Sequence, residues 1–216
     1  MRGTRYKENS LFWRCYAALY DKMWDSPLST SIAMDFAHYS VGAHVVVDLG
    51  CGTGLATDKV EGRVVGIDSS SAMIERARCR LNDLRLAHVY GTGLESDYAD
   101  IVVLANILHL CLYPERVLEE AMRINKQNGL IIVIWPSDDA DIDTIARVQK
   151  RLGWQGHRVF LFKVSALAIG LMGASLRQTR RSDIEVREAI TETCGLDAGI
   201  PKQLYWVQNI VLIENK

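Results

Sequence analysis

The residues with the clearest chemical potential lie in one short stretch. Val45 to Gly54 reads Val-Val-Val-Asp-Leu-Gly-Cys-Gly-Thr-Gly. Three β-branched residues in succession suit a strand buried on both faces, and the run then breaks into Gly50, Gly52 and Gly54. Glycine lets the backbone turn tightly and approach a ligand where a Cβ would obstruct it. Asp48 lies within the strand, and a second carboxylate, Asp68, follows about 20 positions later, at the end of the apolar run Arg63 to Ile67. A carboxylate at that place can accept both hydroxyls of a ribose. The nicotinamide fingerprint needs a glycine three places after the second one, and position 55 is Leu, which weakens that reading.

Val45 to Gly54, taken with Gly66-Ile67-Asp68-Ser69, resembles motifs I and II of the class I S-adenosylmethionine-dependent methyltransferases. The resemblance runs from about Val45 through Trp135 and returns at the C-terminus. It implies a Rossmann-like three-layer α/β sandwich, with a mostly parallel seven-stranded sheet and an antiparallel C-terminal hairpin strand. It also implies S-adenosyl-L-methionine as cofactor. The contacts carried over are Asp48, Gly50, Cys51, Gly52 and Gly54 in motif I, and Asp68 and Ser69 in motif II with Met73 in the helix that follows. Thr92, Gly93 and Leu94 after the third strand, and Ala105 and Asn106 after the fourth, complete the set. Many relatives carry an acidic residue where this chain has Thr92. The adenine amino group could instead meet Thr92, Leu94, a backbone amide, or Glu95 shifted in register.

The elements that must position these groups alternate between strand and helix. Leu11 to Tyr20 reads as an amphipathic helix rich in aromatics, broken by Asp21 to Pro27, and Ser29 to Tyr39 as a second helix capped by Ser29 or Thr30. In the family such an N-terminal segment closes over the cofactor and shapes the acceptor pocket. Leu55 to Val60 has room for a short helix, whose amino end would face the methionine carboxylate. Ser69 to Ser71 offers N-cap hydroxyls to a helix from Ala72 to Leu81. Leu86 to Tyr90 is a weak third strand. Asp100 to Ala105 is a fourth, delivering Asn106 and His109 to the edge where ligands sit in open parallel sheets. Pro114 opens a helix, Leu130 to Trp135 is a fifth strand, and Ile142 to Leu152 and Ser182 to Cys194 are further helices, the last with Gly195 as its C-cap. Ile200 to Trp206 and Asn209 to Ile213 would form the closing hairpin. This alternation argues for a parallel sheet with helices on both faces.

At 216 residues the chain suits one domain: a helical lid over residues 1–40 and a cofactor-binding domain over 41–216, with a helical insertion at about 138–180. The balance of 25 basic and 26 acidic residues offers no basic face to nucleic acid. Five widely spaced cysteines, with no zinc-like spacing, read as reduced thiols and provide no metal site. The polar N-terminus has no signal-peptide core, so a cytoplasmic protein is expected. Val159 to Leu176 is apolar on nearly every face but contains Lys163 and falls short of a membrane span. It could be packed under the sheet, form a wall over the acceptor site, or make a homodimer or membrane-surface contact.

Methyl transfer from a sulfonium needs proximity and a dry pocket, and a general base only for a hydroxyl or a protonated amine. His109 is the candidate base, with Asn106, Tyr16 and Tyr20 as further catalytic candidates and His157 a weaker one. The family and the lack of a basic face point to O- or N-methylation of a small molecule. Two alternatives stand beside it. One is use of the aminocarboxypropyl group, by transfer or by cyclisation to azetidine-2-carboxylate. The other is a non-catalytic interaction module.

Overall fold

The computed structural model describes residues 11–175, 181–195, 202–205 and 207–215, with 11–15 and 172–175 described by their backbone alone. The sheet contains β1 (Val45–Leu49), β2 (Arg63–Asp68), β3 (Asp83–Leu86), β4 (Ala99–Ala105), β5 (Asn125–Pro136), β6 (Lys202–Leu204) and β7 (Gln208–Glu214). Its spatial order is β3-β2-β1-β4-β5-β7-β6. β1 to β5 run parallel, while β7 is antiparallel to both β5 and β6. The order reverses between β1 and β4, so the connections leaving these neighbours diverge and open a crevice at their carboxyl ends. Gly50 and Asn106 stand at that crevice.

Apolar residues on both faces of the central strands bury two cores. One face packs Val47, Leu49, Val102 and Leu104 against α4 (Pro114–Ile124) and α7 (Asp183–Cys194). The other packs Val46, Ile101, Val103 and Ile132 with residues of α1 (Leu11–Trp24), α2 (Pro27–Tyr39), α5 (Ile142–Arg151) and α6 (Gly156–Ser175). α3 (Ser71–Ala77) lies against β2, β3 and α1. The N-terminal helices and the segment after β5 thus share one layer. Trp24 meets Phe162 edge-on at 5.6 Å between ring centroids, and Phe162 meets Trp154 at 5.9 Å.

Several elements depart from the sequence-based expectation, each for a local reason. Ser26, rather than Ser29 or Thr30, caps α2, because Pro27 can occupy the first helical turn without losing a hydrogen bond. Residues 55–59 form turns instead of a helix: Thr57 donates its hydroxyl to Asp48 at 2.7 Å, and Gly62 adopts a left-handed φ of 98°. No helix amino end is therefore available there for a carboxylate. The third strand lies earlier than expected, at Asp83–Leu86, where it pairs with β2 and Arg63 bonds Asp83. The expected hairpin is present as β6 and β7, although Ile200 and Trp206 lie outside the described residues.

The apolar segment after α5 differs most. It forms α6, and burial under the sheet is overturned: Phe160, Leu161, Val164, Leu167 and Leu171 are all at least half exposed. Among the described side chains of α6, Phe162 is buried, and Val159, Ala166 and Ile169 are partly buried against the core.

The helical layer is locked by one buried amide. Gln149 of α5 is fully buried, donates to Ser26 Oγ at 2.7 Å, and accepts from the backbone N–H of Leu28 at 3.2 Å. Gln149→Ala would leave that N–H without its acceptor. The variant is expected to lose about 2–3 kcal/mol of stability, measured as a lower urea midpoint with an unchanged slope.

Candidate functional site

The glycine turn is held by the end of β2. Gly50 N–H and Cys51 N–H both donate to the carbonyl of Ile67, at 2.7 and 3.0 Å, and Gly52 N–H donates to Asp68 Oδ2 at 2.9 Å. The other carboxylate oxygen of Asp68 accepts from Ser70 N–H at 2.8 Å. The glycines have different reasons to be glycine. A Cβ at Gly50 would stand 2.8 Å from the Ile107 side chain, so this residue admits the turn that follows β4. At Gly52, with φ 55°, a Cβ would meet nothing within 4 Å, so this backbone faces open space. Gly54 packs on Leu81. Ligand approach is thus concentrated at Gly52.

Two carboxylates converge beneath this turn. Asp48 is fully buried; Oδ2 accepts from Thr57, while Oδ1 accepts no hydrogen bond from the described residues. Burial pushes its carboxyl up to about 7, with the Thr57 hydrogen bond opposing the shift and the nearby Asp68 adding to it. Burial also raises Asp68, against the pull of backbone N–H groups from Ser70, Gly52 and Ser69. At the end of β4, Asn106 is held at φ 56°, and its buried Oδ1 likewise accepts nothing from the described residues. A buried acceptor left without a donor and a non-glycine residue in the left-handed region are both costly, and they coincide on one residue.

α1 lies over this floor. Tyr20 feels Tyr16, Asp68, Asp48 and Asp21, and burial first, then these neighbours, drive its phenol well above the ordinary value. Tyr16 and Tyr20 meet edge-on at 5.3 Å, and Trp24 donates to the Tyr16 hydroxyl at 3.3 Å. Arg80, just beyond α3, fixes the arrangement. Its guanidinium donates to the Thr53 carbonyl in the glycine turn at 3.2 Å and to Asp21 of α1 at 3.3 Å, and pairs with Asp25 at 3.5 Å. One cation therefore ties the aromatic helix to the turn beneath it. Nothing in the local sequence singles out Arg80.

The remaining candidates divide. Thr92 is engaged within the protein: its N–H and its hydroxyl both donate to Glu120 Oε1, at 2.8 and 2.6 Å, and its oxygen accepts from Leu94 N–H at 3.1 Å. Burial alone would raise Glu120, but hydrogen bonds from Arg123 and Thr92 outweigh it and hold the carboxyl at about 2. Leu94 is buried in the core rather than presented as a wall, whereas Gly93 is exposed with open space at its Cβ position. Met73 and Cys51 are buried, Ser69 and Ala105 half-buried, and burial raises the Cys51 thiol. His109 is 6% exposed, on a 3-10 turn at Leu108–Leu110 that packs against α4 and α7, in the layer opposite α1. His157 is exposed on α6. A separate cleft of about 280 Å³, lined by Thr57, Arg63, Arg80 and Asp83 among others, opens toward the amino ends of β2 and β3. That is the end of the sheet where parallel folds do not bind their ligands.

Known proteins share this architecture. Residues 47–133 match the family described as a methyltransferase domain. A phosphatidylethanolamine N-methyltransferase of Cereibacter sphaeroides is 27% identical over 158 residues, covering 66% of this chain and 76% of its own. Three further relatives are matched over 42%, 30% and 44% of their lengths, so the chain spans less than half of them. Among solved structures, an S-adenosylmethionine-dependent methyltransferase from Thermotoga maritima superposes with a TM-score of 0.65 at 16% identity, over 95% of this chain and 98% of its own. The plantazolicin methyltransferase in complex with SAH gives 0.60 at 14% identity, over 94% and 90%. The methyltransferase domain matched at residues 47–133 and the shared Rossmann-like fold support a class I S-adenosylmethionine-dependent transferase. Its cofactor is S-adenosyl-L-methionine.

The buried Asp48 gives the folded protein a pH signature. Because its folded pKa is raised, the folded state holds this proton longer than the unfolded chain, and stability falls as pH rises from about 4 to about 7. Asp48→Asn lacks that proton. Relative to the parent it should gain about 2–4 kcal/mol across this window; urea unfolding at a series of pH values in the absence of cofactor would measure it, and a constant difference would count against a raised Asp48.

Proposed function

We propose that the crevice at the ends of β1, β2 and β4 holds S-adenosylmethionine, and that the protein methylates an oxygen or nitrogen of a small molecule received under α1. The observation that carries this reading is the pair of carboxylates around the glycine turn, Asp48 buried with Oδ1 unserved by the described residues and Asp68 holding Gly52 N–H, with Tyr20 near enough to feel both charges. Two carboxylates in a low-dielectric site repel one another and favour a cation between them, and aromatic rings attract one through their faces. The cofactor carries positive charge at both its sulfonium and its ammonium group, so the fit is electrostatic as well as steric. The free acceptors Asp48 Oδ1 and Asn106 Oδ1 suit the ammonium end, the open backbone at Gly52 admits the adenosyl group, and Asp68 suits the ribose hydroxyls.

The bound cofactor supplies a methyl group already activated for displacement. What this chain must supply is position and dryness: α1, tethered through Arg80, excludes water and fixes the acceptor. Tyr16, Tyr20 and Trp24 provide apolar walls for it. His109, enclosed by α4 and α7, serves the reading better as part of the turn that carries Asn106 than as a general base. The Cereibacter relative is named for methylation of a lipid amine, which supports an acceptor with an apolar body and a nucleophilic head.

Asp68 also holds Gly52 and Ser70, so its removal must be read with a matched variant. Asp68→Ala is expected to weaken cofactor binding by at least about tenfold, ~1.5 kcal/mol, and Asp68→Asn, which keeps one of the two backbone acceptors, to weaken it with a smaller fall in melting temperature than Asp68→Ala. Calorimetry gives both, and an unaltered dissociation constant would take Asp68 out of the site. Turnover should release S-adenosylhomocysteine; methylthioadenosine instead would assign the aminocarboxypropyl reaction.

A further inference from the structure

We infer that the outer face of α6, with the basic residues around its amino end, docks the protein onto the surface of an anionic phospholipid bilayer. Phe160, Leu161, Val164, Leu167 and Leu171 are 66, 59, 50, 62 and 67% exposed. Their spacing places them along one side of the helix, while Phe162, Val159, Ala166 and Ile169 hold the other side to the core. So many large apolar side chains in one contiguous exposed stripe mark a contact surface. Among the described residues no helix is long and apolar enough to cross a membrane, so α6 would lie in the interface rather than span it.

Charge identifies the occupant. From Thr144 to Ser182 the chain has eight Lys and Arg residues and no Asp or Glu, within a protein of 25 basic and 26 acidic residues. The rest of the molecule therefore carries 17 basic against 26 acidic, and the apolar helix sits in its one strongly cationic segment. Arg147, Lys150, Arg151, His157 and Arg158 are exposed around the end of α5 and the start of α6. Arg158 stands in the first turn of α6, which has no acidic residue, so positive charge stands at the positive end of the helix dipole. Lipid phosphates opposite this end would relieve that repulsion. A second copy would not, because a two-fold contact sets this segment against itself and the segment has no acidic residue to offer. An apolar stripe bordered by basic residues is the pattern that binds anionic membrane surfaces.

The test needs neither cofactor nor acceptor, so its outcome is independent of the catalytic reading. The full chain is incubated with sucrose-loaded vesicles of phosphatidylcholine alone, or with about a third phosphatidylglycerol, and sedimented. Binding is expected to the mixed vesicles and not to phosphatidylcholine, weakening as salt is raised toward about 1 M. Leu167→Glu with Leu171→Glu should lower the partition coefficient about tenfold or more, and Arg158→Glu several-fold, with unchanged circular dichroism. Equal binding to both vesicle types, binding undiminished in these variants, or no binding at all would overturn the proposal. A dimer in light scattering that Leu167→Glu dissociates, with no vesicle binding, would assign the face to a second copy instead.

Discussion

The structure depends on the end of β1 being folded back onto the end of β2. The Ile67 carbonyl receives two consecutive N–H groups from the glycine turn, and the Asp68 carboxylate receives a third. This satisfies backbone donors that would otherwise be buried without partners, and it fixes where the turn's open face points. Gly50 then allows Ile107 to close in from the neighbouring strand, which brings Asn106 to the same crevice. A side chain at position 50 would separate β1's turn from β4's, and the two halves of the site would no longer meet.

That geometry has an electrostatic cost which only a cation can offset well. Asp48 is buried with one oxygen unserved, Asp68 lies close enough to raise it further, and Tyr20 feels the charge of both. A protein selecting for stability alone would replace Asp48 with an apolar residue, since a buried carboxyl with an unfilled acceptor is destabilising. Retaining it is intelligible where the site is meant to hold a positively charged molecule. Arg80 cannot play that part, because its guanidinium is committed to Thr53, Asp21 and Asp25. Its charge holds α1 to the glycine turn and is not shared with Asp48 or Asp68.

Features decided by local chemistry are legible in the sequence. Ser182 and Glu185 form a reciprocal capping box, Gly195 takes the left-handed C-cap with φ 64°, and Pro114 opens α4. The β-branched runs of β1, β2, β4 and β5 reveal a doubly covered parallel sheet, and the glycine turn with Asp68 reveals the cofactor class. Features decided by distant partners are not legible. Arg80 meets Asp21 across 59 residues, and Gln149 meets Ser26 across 123. Glu120 gives no sign in the sequence of its tie to Thr92, 28 residues away, which donates to it twice. β3 lies earlier than the sequence suggests because an edge strand made of Asp83, Leu84, Arg85 and Leu86 carries little apolar signal. Gln149 did leave a trace: a polar residue beside Ile145, Ala146 and Val148 on the buried side of α5.

The exposed apolar helix and the proposed site are mechanically close. Phe162, on the inner side of α6, contacts Trp24 of α1, and α1 carries Tyr20 over the carboxylates. Whatever seats α6 therefore bears on the helix that roofs the crevice, through aromatic contacts rather than through a loop. An acceptor with an apolar body would have a path consistent with this arrangement, from the surface on which α6 rests, past the aromatic edge of α1, to the carboxylate floor. The charge distribution has the same sense: cationic where the molecule would meet phosphate, and acidic beneath the lid where a positively charged cofactor would be held. Two opposite electrostatic demands would be met by keeping them on separate elements, α6 and α1, that pack against one another.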